Sequence, residues 1–186
     1  MKRIFDLFFG FLLLSVLSAL FVLISILVSI TSTGGILYWS SRVGKNNLIF
    51  KMPKFRSMLV DTPNIATHLL DKPTIYLSPI GGFLRQSSLD ELPQLLSVIK
   101  GDMSFVGPRP ALFNQYDLIT LRAEKGVDKL LPGITGWAQV NGRDELSIID
   151  KVNLDEEYLN HQSFWFDIKI LCMTILKVLK RVGVAH

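Results

Sequence analysis

The chain has 186 residues, of which 49% are hydrophobic, with a formal net charge of +4 and a single cysteine, Cys172. About 40 residues form a membrane-directed N-terminus, so the remainder suits one modest domain and excludes two catalytic domains. One cysteine excludes an internal disulfide and favours the cytosolic side, while the apolar content favours lipid over nucleic acid as the partner of the positive charge.

The chain begins with an uncharged apolar run over residues 7–30. As a helix this run is about 36 Å long, which is enough to cross a bilayer with some tilt. Lys2 and Arg3 precede the run and five basic residues follow it, beginning with Arg42, so the positive-inside tendency favours a re-entrant helix with both ends cytoplasmic. An ordinary signal anchor stays open as the alternative. We expect the break among Ser15, Ser18 and Ala19, because a serine hydroxyl can bond a backbone carbonyl and bend a helix.

The catalytic domain is predicted over residues 36–186, after an N-terminal membrane helix over residues 1–35. Two short apolar runs, 36–41 and 48–52, predict a β-hairpin at the membrane surface around residues 44–47. Three prolines with little periodicity predict loops and short helices over residues 61–80. The expected fold class is α+β, predominantly α.

Three helices are predicted in the second half of the chain. An apolar stripe predicts one over residues 88–100, ended by Gly101. The others are expected from about 146 to 161 and from 164 to 181. The last is apolar and basic, so two roles stay open for it: lying in the membrane interface or closing the core.

Two adjacent carboxylates, Asp90 and Glu91, lie at the predicted start of the first of these helices. Ser88 and Glu91 have the spacing of a capping box, worth about 1 kcal/mol, and this alone explains the pattern. The alternative is a phosphate site, because Arg85 lies just upstream and Arg109 is held between two prolines. A carboxylate there can attack phosphorus or bind magnesium, and arginines bind phosphate oxygens. Both interpretations stay open on the residues alone.

A second cluster of candidate residues occupies positions 132–143. Its three glycines allow close backbone approach, and it carries Trp137 for stacking, Gln139 and Asn141 for base or sugar edges, and Arg143 for a phosphate. The pattern resembles a nucleotide-diphosphate cradle. A buried turn with an aromatic plug is the alternative.

Together these motifs closely resemble the bacterial sugar transferase family, the small monotopic polyprenyl-phosphate phosphoglycosyl transferases. The segments that carry the resemblance are 2–6, 54–58, 88–94, 101–110, 132–143 and 176–183. The resemblance implies transfer of a phosphosugar from a UDP-sugar to undecaprenyl phosphate, with release of UMP. It also implies a re-entrant helix, a phospholipid bilayer as partner, and a place on the cytoplasmic face of the bacterial inner membrane.

The resemblance also implies roles for single residues. In the family the aspartate of the Asp-Glu pair attacks the phosphorus bearing the sugar, and the polyprenyl phosphate then resolves the covalent intermediate. Asp90 matches this nucleophile and the Mg²⁺ ligand, and Glu91 matches its supporting partner. Arg85 and Arg109 match two phosphate-binding arginines. Lys54 matches a lysine near the site, and Arg143 matches the arginine on the nucleotide side.

One departure from the family concerns the membrane helix. The family usually breaks this helix at a Ser-Pro pair, whereas this chain has Ser18 and Ala19 there. Alanine favours a straighter helix, so the expected re-entrant topology depends on serine bonding and flanking charge.

Two other functions stay open beside the transferase. A membrane-bound phosphohydrolase would use the same Asp90 intermediate but resolve it with water, and a lipid-binding scaffold would need no catalytic carboxylate. A zinc site is not expected from His68, His161 and His186, because they lack ligand spacing.

Overall fold

The computed structural model describes residues 1–63, 73–142 and 145–180. Over these residues the fold is α+β and mostly helical, as predicted. The α-helices are α1 (Lys2–Val16), α2 (Ser18–Thr31), α3 (Gly81–Gln86), α4 (Gln94–Lys100), α5 (Tyr116–Glu124), α6 (Trp137–Val140), α7 (Ile148–His161) and α8 (Phe164–Lys180). The strands are β1 (Leu37–Val43), β2 (Ile49–Phe55), β3 (Ser104–Val106) and β4 (Gly133–Thr135).

The predicted break in the N-terminal run is present and lies at Leu17. There the axis turns by 63° between α1 and α2, and Leu17 has φ −92° and ψ 6°. In the part of the chain that is described, no single helix is long and apolar enough to cross a membrane. The bent pair α1 and α2 meets that test by length and composition.

Packing, rather than serine bonding, accounts for this bend. Two serines of α2 donate to carbonyls of the preceding turn, Ser25 to Phe21 O at 2.7 Å and Ser29 to Ile26 O at 2.8 Å, and both lie beyond the break. Each half packs on its own part of the core: Phe5 of α1 on one apolar cluster and Ile24 of α2 in another. The expected break is therefore present in spite of Ala19, whereas the expectation that serine bonding produces it is wrong, because two separate docking surfaces set the two directions.

The first residues of the chain dock onto the body of the domain. Lys2 Nζ donates to Asp167 Oδ2 at 2.6 Å and to the Tyr158 hydroxyl at 2.9 Å. The Arg3 guanidinium donates to two carbonyls at the C-terminus of α4, Val98 O and Ile99 O, both at 2.6 Å. Lys2 and Arg3, which the sequence assigns to the membrane flank, therefore also hold the start of α1 against the domain.

Asp6 makes a third contact of this kind from inside α1. Its side chain is 2% exposed, and Oδ1 accepts from Ser104 Oγ and from Phe105 N, both at 3.1 Å. These donors belong to β3, so α1 and this strand are joined by a buried carboxylate. A buried carboxylate needs such partners, since burial without hydrogen bonds is costly.

Asp6→Ala is expected to lower stability, because the Phe105 N–H would stay buried without an acceptor. The cost is about 2 kcal/mol, which corresponds to a fall of about 4–8 °C in the melting temperature of a chain of this size. Thermal unfolding followed by circular dichroism in detergent measures it. Asp117→Ala, at an exposed acid in α5, is the control, and equal melting temperatures for the two variants would contradict the prediction.

The predicted hairpin is confirmed. β1 and β2 pair antiparallel, from Leu37 opposite Phe55 to Val43 opposite Ile49. The turn passes through Asn46 (φ 55°) and Asn47 (φ 59°), where asparagine tolerates the left-handed region better than most residues. Its position at a membrane surface stays a prediction.

A second, parallel pair of strands was not predicted. β3 pairs with β4, Ser104 opposite Gly133 and Val106 opposite Thr135. The backbones meet closely, since a Cβ at Gly133 would lie 2.1 Å from Gly107 N. Glycine is therefore required there, and this pair places segment 101–110 beside residues 132–142.

The two C-terminal helices confirm the predictions within the described residues. α7 begins after Ser147, whose hydroxyl accepts from Asp150 N at 3.1 Å. α8 closes the core with Ile170, which is fully buried, while Trp165 stays 77% exposed at its start. The core-closing role is thus present, and contact with a membrane stays a prediction.

Candidate active site

The segment that carries Asp90 and Glu91 is not the start of an α-helix. Leu89–Glu91 forms a 3-10 turn, and α4 begins only at Gln94. Ser88 has φ 56° and its side chain makes no capping bond. The capping-box interpretation and the helix start at residue 88 are therefore wrong, because the left-handed backbone of Ser88 and the 3-10 turn place both carboxylates before the start of α4.

Glu91 is instead the centre of an ion-pair group. Its Oε1 accepts from Lys54 Nζ at 2.6 Å and from Arg109 Nη2 at 3.4 Å. Lys54 comes from β2, and Arg109 follows β3. Three distant parts of the chain thus meet at one carboxylate, and the binding of a phosphate by this group stays a prediction.

Asp90 lies in the same group and is 6% exposed. Burial raises the pKa of its carboxyl above the ordinary value, the positive charge of Lys54 opposes this, and the negative charge of Glu91 adds to it. Arg85, from α3, and Arg109 also lower this pKa. A buried carboxyl whose ionisation depends on nearby cations is suited to react with an anion that these cations bind.

Arg42 is a further member that sequence reasoning placed only among the membrane-flanking charges. Burial, together with the charge of Arg109, lowers the pKa of Arg42 to about 10, against the attraction of Glu91. In the hairpin, Ser40 pairs with Met52. Arg42 lies two residues from Ser40 on β1 and Lys54 two residues from Met52 on β2, so the side chains of Arg42 and Lys54 lie on the same face of the hairpin. The alternation of side chains along a predicted hairpin is the signal that could have found it.

Residues 132–142 show the features of the aromatic-plug alternative. Trp137 packs edge-on against Phe166 with ring centroids 5.0 Å apart. Gln139 Nε2 donates to a backbone carbonyl of the same segment at 3.0 Å, and Asn141 Nδ2 to another at 2.8 Å. The contacts that the structure describes for these amides are internal to the motif and do not join the Asp90 group. Arg143 lies outside the described residues.

The described residues contain no group of three or more His, Cys, Asp or Glu side chains that could hold a metal. Asp90 and Glu91 are the adjacent carboxylates of the site, and Glu91 is already paired with two cations. Mg²⁺ commonly binds through one or two carboxylates together with substrate phosphates. This donor set is compatible with a magnesium ion that arrives with a phosphate ligand, and Asp90 as its protein contact stays a prediction.

Comparison with known proteins identifies relatives over almost the whole chain. The family model described as bacterial sugar transferase matches residues 1–181. The chain is 38% identical to the uncharacterized sugar transferase EpsL of Bacillus subtilis, covering 99% of this chain and 90% of that protein. It is 40% identical to the undecaprenyl-phosphate glucose phosphotransferase of Komagataeibacter xylinus, covering 94% of this chain and 35% of that protein.

A third relative is the UDP-glucose:undecaprenyl-phosphate glucose-1-phosphate transferase of Escherichia coli, at 37% identity over 95% of this chain and 40% of that protein. The chain thus spans well under half the length of these two relatives with named activities, and nearly all of EpsL. The match includes the segments that bring Lys54, Asp90, Glu91 and Arg109 together. This chain belongs to the bacterial sugar transferase family.

Proposed function

We propose that the chain transfers a sugar phosphate from a UDP-sugar to undecaprenyl phosphate, releasing UMP. The observation that carries the proposal is the meeting of Lys54 and Arg109 at Glu91, directly beside the buried Asp90. Two relatives, an undecaprenyl-phosphate glucose phosphotransferase and a UDP-glucose:undecaprenyl-phosphate glucose-1-phosphate transferase, support the acceptor and the reaction class by their names.

In the proposed first step an Asp90 carboxylate oxygen attacks the phosphorus that bears the sugar. The bond from that phosphorus to the bridging diphosphate oxygen breaks, and UMP leaves with the bonding electron pair. In the second step a phosphate oxygen of undecaprenyl phosphate attacks the same phosphorus. The bond to Asp90 breaks, and the carboxylate is restored.

The other residues of the group bind and orient the donor in this scheme. Arg109 and Arg85 take the diphosphate oxygens, and Lys54 keeps Asp90 ionised while Glu91 holds Lys54 and Arg109 in place. A magnesium ion held by Asp90 and the diphosphate would neutralise the charge that develops on the leaving UMP.

Docking of both N-terminal helices supports a re-entrant topology as part of this proposal. Lys2, at the start of α1, contacts Asp167 of α8. Val28, near the end of α2, is completely buried against the domain. A helix pair whose two ends contact the same body favours both ends on one side of the bilayer. The exposed apolar side chains between them, such as Phe11 and Leu23, would face lipid.

A phosphohydrolase that resolves the same intermediate with water is the second candidate, because the Asp90 group would serve it equally well. Purified protein is incubated with Mg²⁺ and a panel of UDP-sugars, with and without undecaprenyl phosphate, and UMP is measured. UMP that depends on the lipid and on one sugar supports the transferase and identifies its donor. UMP at full rate without the lipid supports the hydrolase, and no UMP with any donor contradicts both.

Lys54→Met is expected to move the acid limb of kcat/KM to higher pH. Lys54 lowers the pKa of Asp90, so without it the carboxylate that attacks phosphorus forms only at higher pH. The pH profile of UMP release measures this. Lys51→Met, at an exposed lysine of the same strand that contacts Ser41, is the matched control. A limb that stays in place in Lys54→Met would show that Lys54 does not control Asp90.

A further inference from the structure

The backbone that carries Arg109 is held by four consecutive carbonyl groups, in residues 108–111. Pro108 O accepts from Gly133 N at 2.9 Å, and Ala111 O accepts from Val43 N at 2.9 Å. Between them, Arg109 O accepts from Arg122 Nη1 at 2.8 Å and Pro110 O from Arg42 Nη1 at 3.2 Å, so two of the four donors are guanidinium groups. Because proline has no N–H, carbonyl bonds are the main way to anchor this segment.

The donor to Arg109 O is itself rigidly placed. Arg122 lies on α5, and its Nε and Nη2 both donate to Asp155 Oδ2, at 3.0 Å and 2.6 Å. The Arg122 side chain is 11% exposed and that of Asp155 2%. One planar guanidinium thus joins α5, α7 and the carbonyl of the residue that contacts Glu91.

We propose that Arg122, fixed by Asp155, is a positioning residue for Arg109. It holds the Arg109 backbone in the position from which the Arg109 side chain reaches the diphosphate of the sugar nucleotide. This inference rests on the proposed function, in which Arg109 binds that diphosphate.

A purely structural role is the competing explanation, because the Arg122–Asp155 pair also joins two helices. The chain contains a matched control for that role. Lys125 joins the same α5 and α7, donating to Asn153 Oδ1 at 2.9 Å and to Glu156 Oε2 at 2.5 Å, without touching residues 108–111. A variant at Lys125 therefore perturbs the helix pair alone.

The experiment is a double-mutant cycle between positions 122 and 109, with Lys125→Met as control. Arg122→Lys keeps a cation for Asp155 but loses the planar group that also reaches Arg109 O. We expect kcat/KM for the UDP-sugar to fall about tenfold in the native background and by less than about twofold when Arg109→Ala is already present. Lys125→Met is expected to leave kcat/KM unchanged.

Hydrogen exchange of the peptide containing residues 105–115 is measured on the same proteins. It is expected to speed up in Arg122→Lys and to stay unchanged in Lys125→Met. If the wild type releases no UMP, the proposed function fails, and the exchange result alone then decides whether Arg122 holds the segment.

Two outcomes would overturn the proposal. One is an equal loss of kcat/KM from Arg122→Lys in both backgrounds, and the other is unchanged exchange in the 105–115 peptide. If Arg122→Lys does not fold, Asp155→Asn takes its place in the cycle, because it leaves the guanidinium present and weakens only its anchor. The same pattern of effects is expected from it, and its absence counts equally against the proposal.

Discussion

Asp90→Asn is expected to reduce UMP release by about 10³-fold or more, while the protein stays in the membrane fraction. Asparagine has nearly the shape of aspartate but cannot form the covalent bond to phosphorus that the proposed mechanism requires. Radiolabelled UDP-sugar in the presence of Mg²⁺ and undecaprenyl phosphate measures both UMP and the lipid product. If the protein were only a lipid-binding scaffold, Asp90→Asn would leave its function intact.

The same substitution is expected to stabilise the fold. Because burial raises the pKa of Asp90, the charged carboxylate is less favourable in the folded chain than in the unfolded one. This cost is fully present above the folded pKa and disappears below the unfolded pKa, so it applies at neutral pH. Removing the charge therefore raises the melting temperature at pH 7 without Mg²⁺. The difference in melting temperature between Asp90→Asn and the wild type becomes smaller as the pH falls.

A matched control separates chemistry from the general loss of a negative charge. Asp117→Asn removes an exposed carboxylate from α5 and is expected to keep both activity and melting temperature. Loss of activity in Asp90→Asn together with a lower melting temperature would assign Asp90 to the fold rather than to the reaction. Retained activity would exclude the covalent mechanism altogether.

The parts of the fold that the sequence predicts are those with a local pattern. α8 and the hairpin have periodic apolar residues and clear ends, and the structure confirms both predictions. β3 and β4 are three residues long, too short for alternation to be visible, and their pairing depends on the close approach of Gly107 and Gly133. Contacts between distant glycines leave no periodic signal.

The candidate site was predictable as chemistry and less so as geometry. Two carboxylates with nearby arginines indicate phosphate binding, but the same spacing also fits a capping box. The left-handed backbone of Ser88 and the pairing of Glu91 with Lys54 exclude the capping box, and phosphate binding stays a prediction. Arg42 is not predicted as a member of the site, because its charge fits the membrane flank equally well in the sequence.

Cysteines at the two ends of the α1–α2 pair are expected to be labelled from the same side of the membrane. The positions are Met1→Cys, placed behind an added initiator methionine, and Thr33→Cys, both exposed. Cys172 is exposed as well, so Cys172→Ser is the background. In intact cells a membrane-impermeant maleimide is expected to label neither end, and after permeabilisation it labels both.

Val16→Cys, one residue before the bend, tests the depth of the pair. Its side chain is 68% exposed on the protein surface, yet a re-entrant pair places it in hydrocarbon, where the thiolate that reacts with maleimide does not form. It is therefore expected to stay unlabelled in intact and in permeabilised cells. A straight crossing predicts a different pattern, with one end labelled in intact cells. That result would separate α1 from its contacts at Asp167 and Ser104, because a domain on one side cannot hold a helix end on the other.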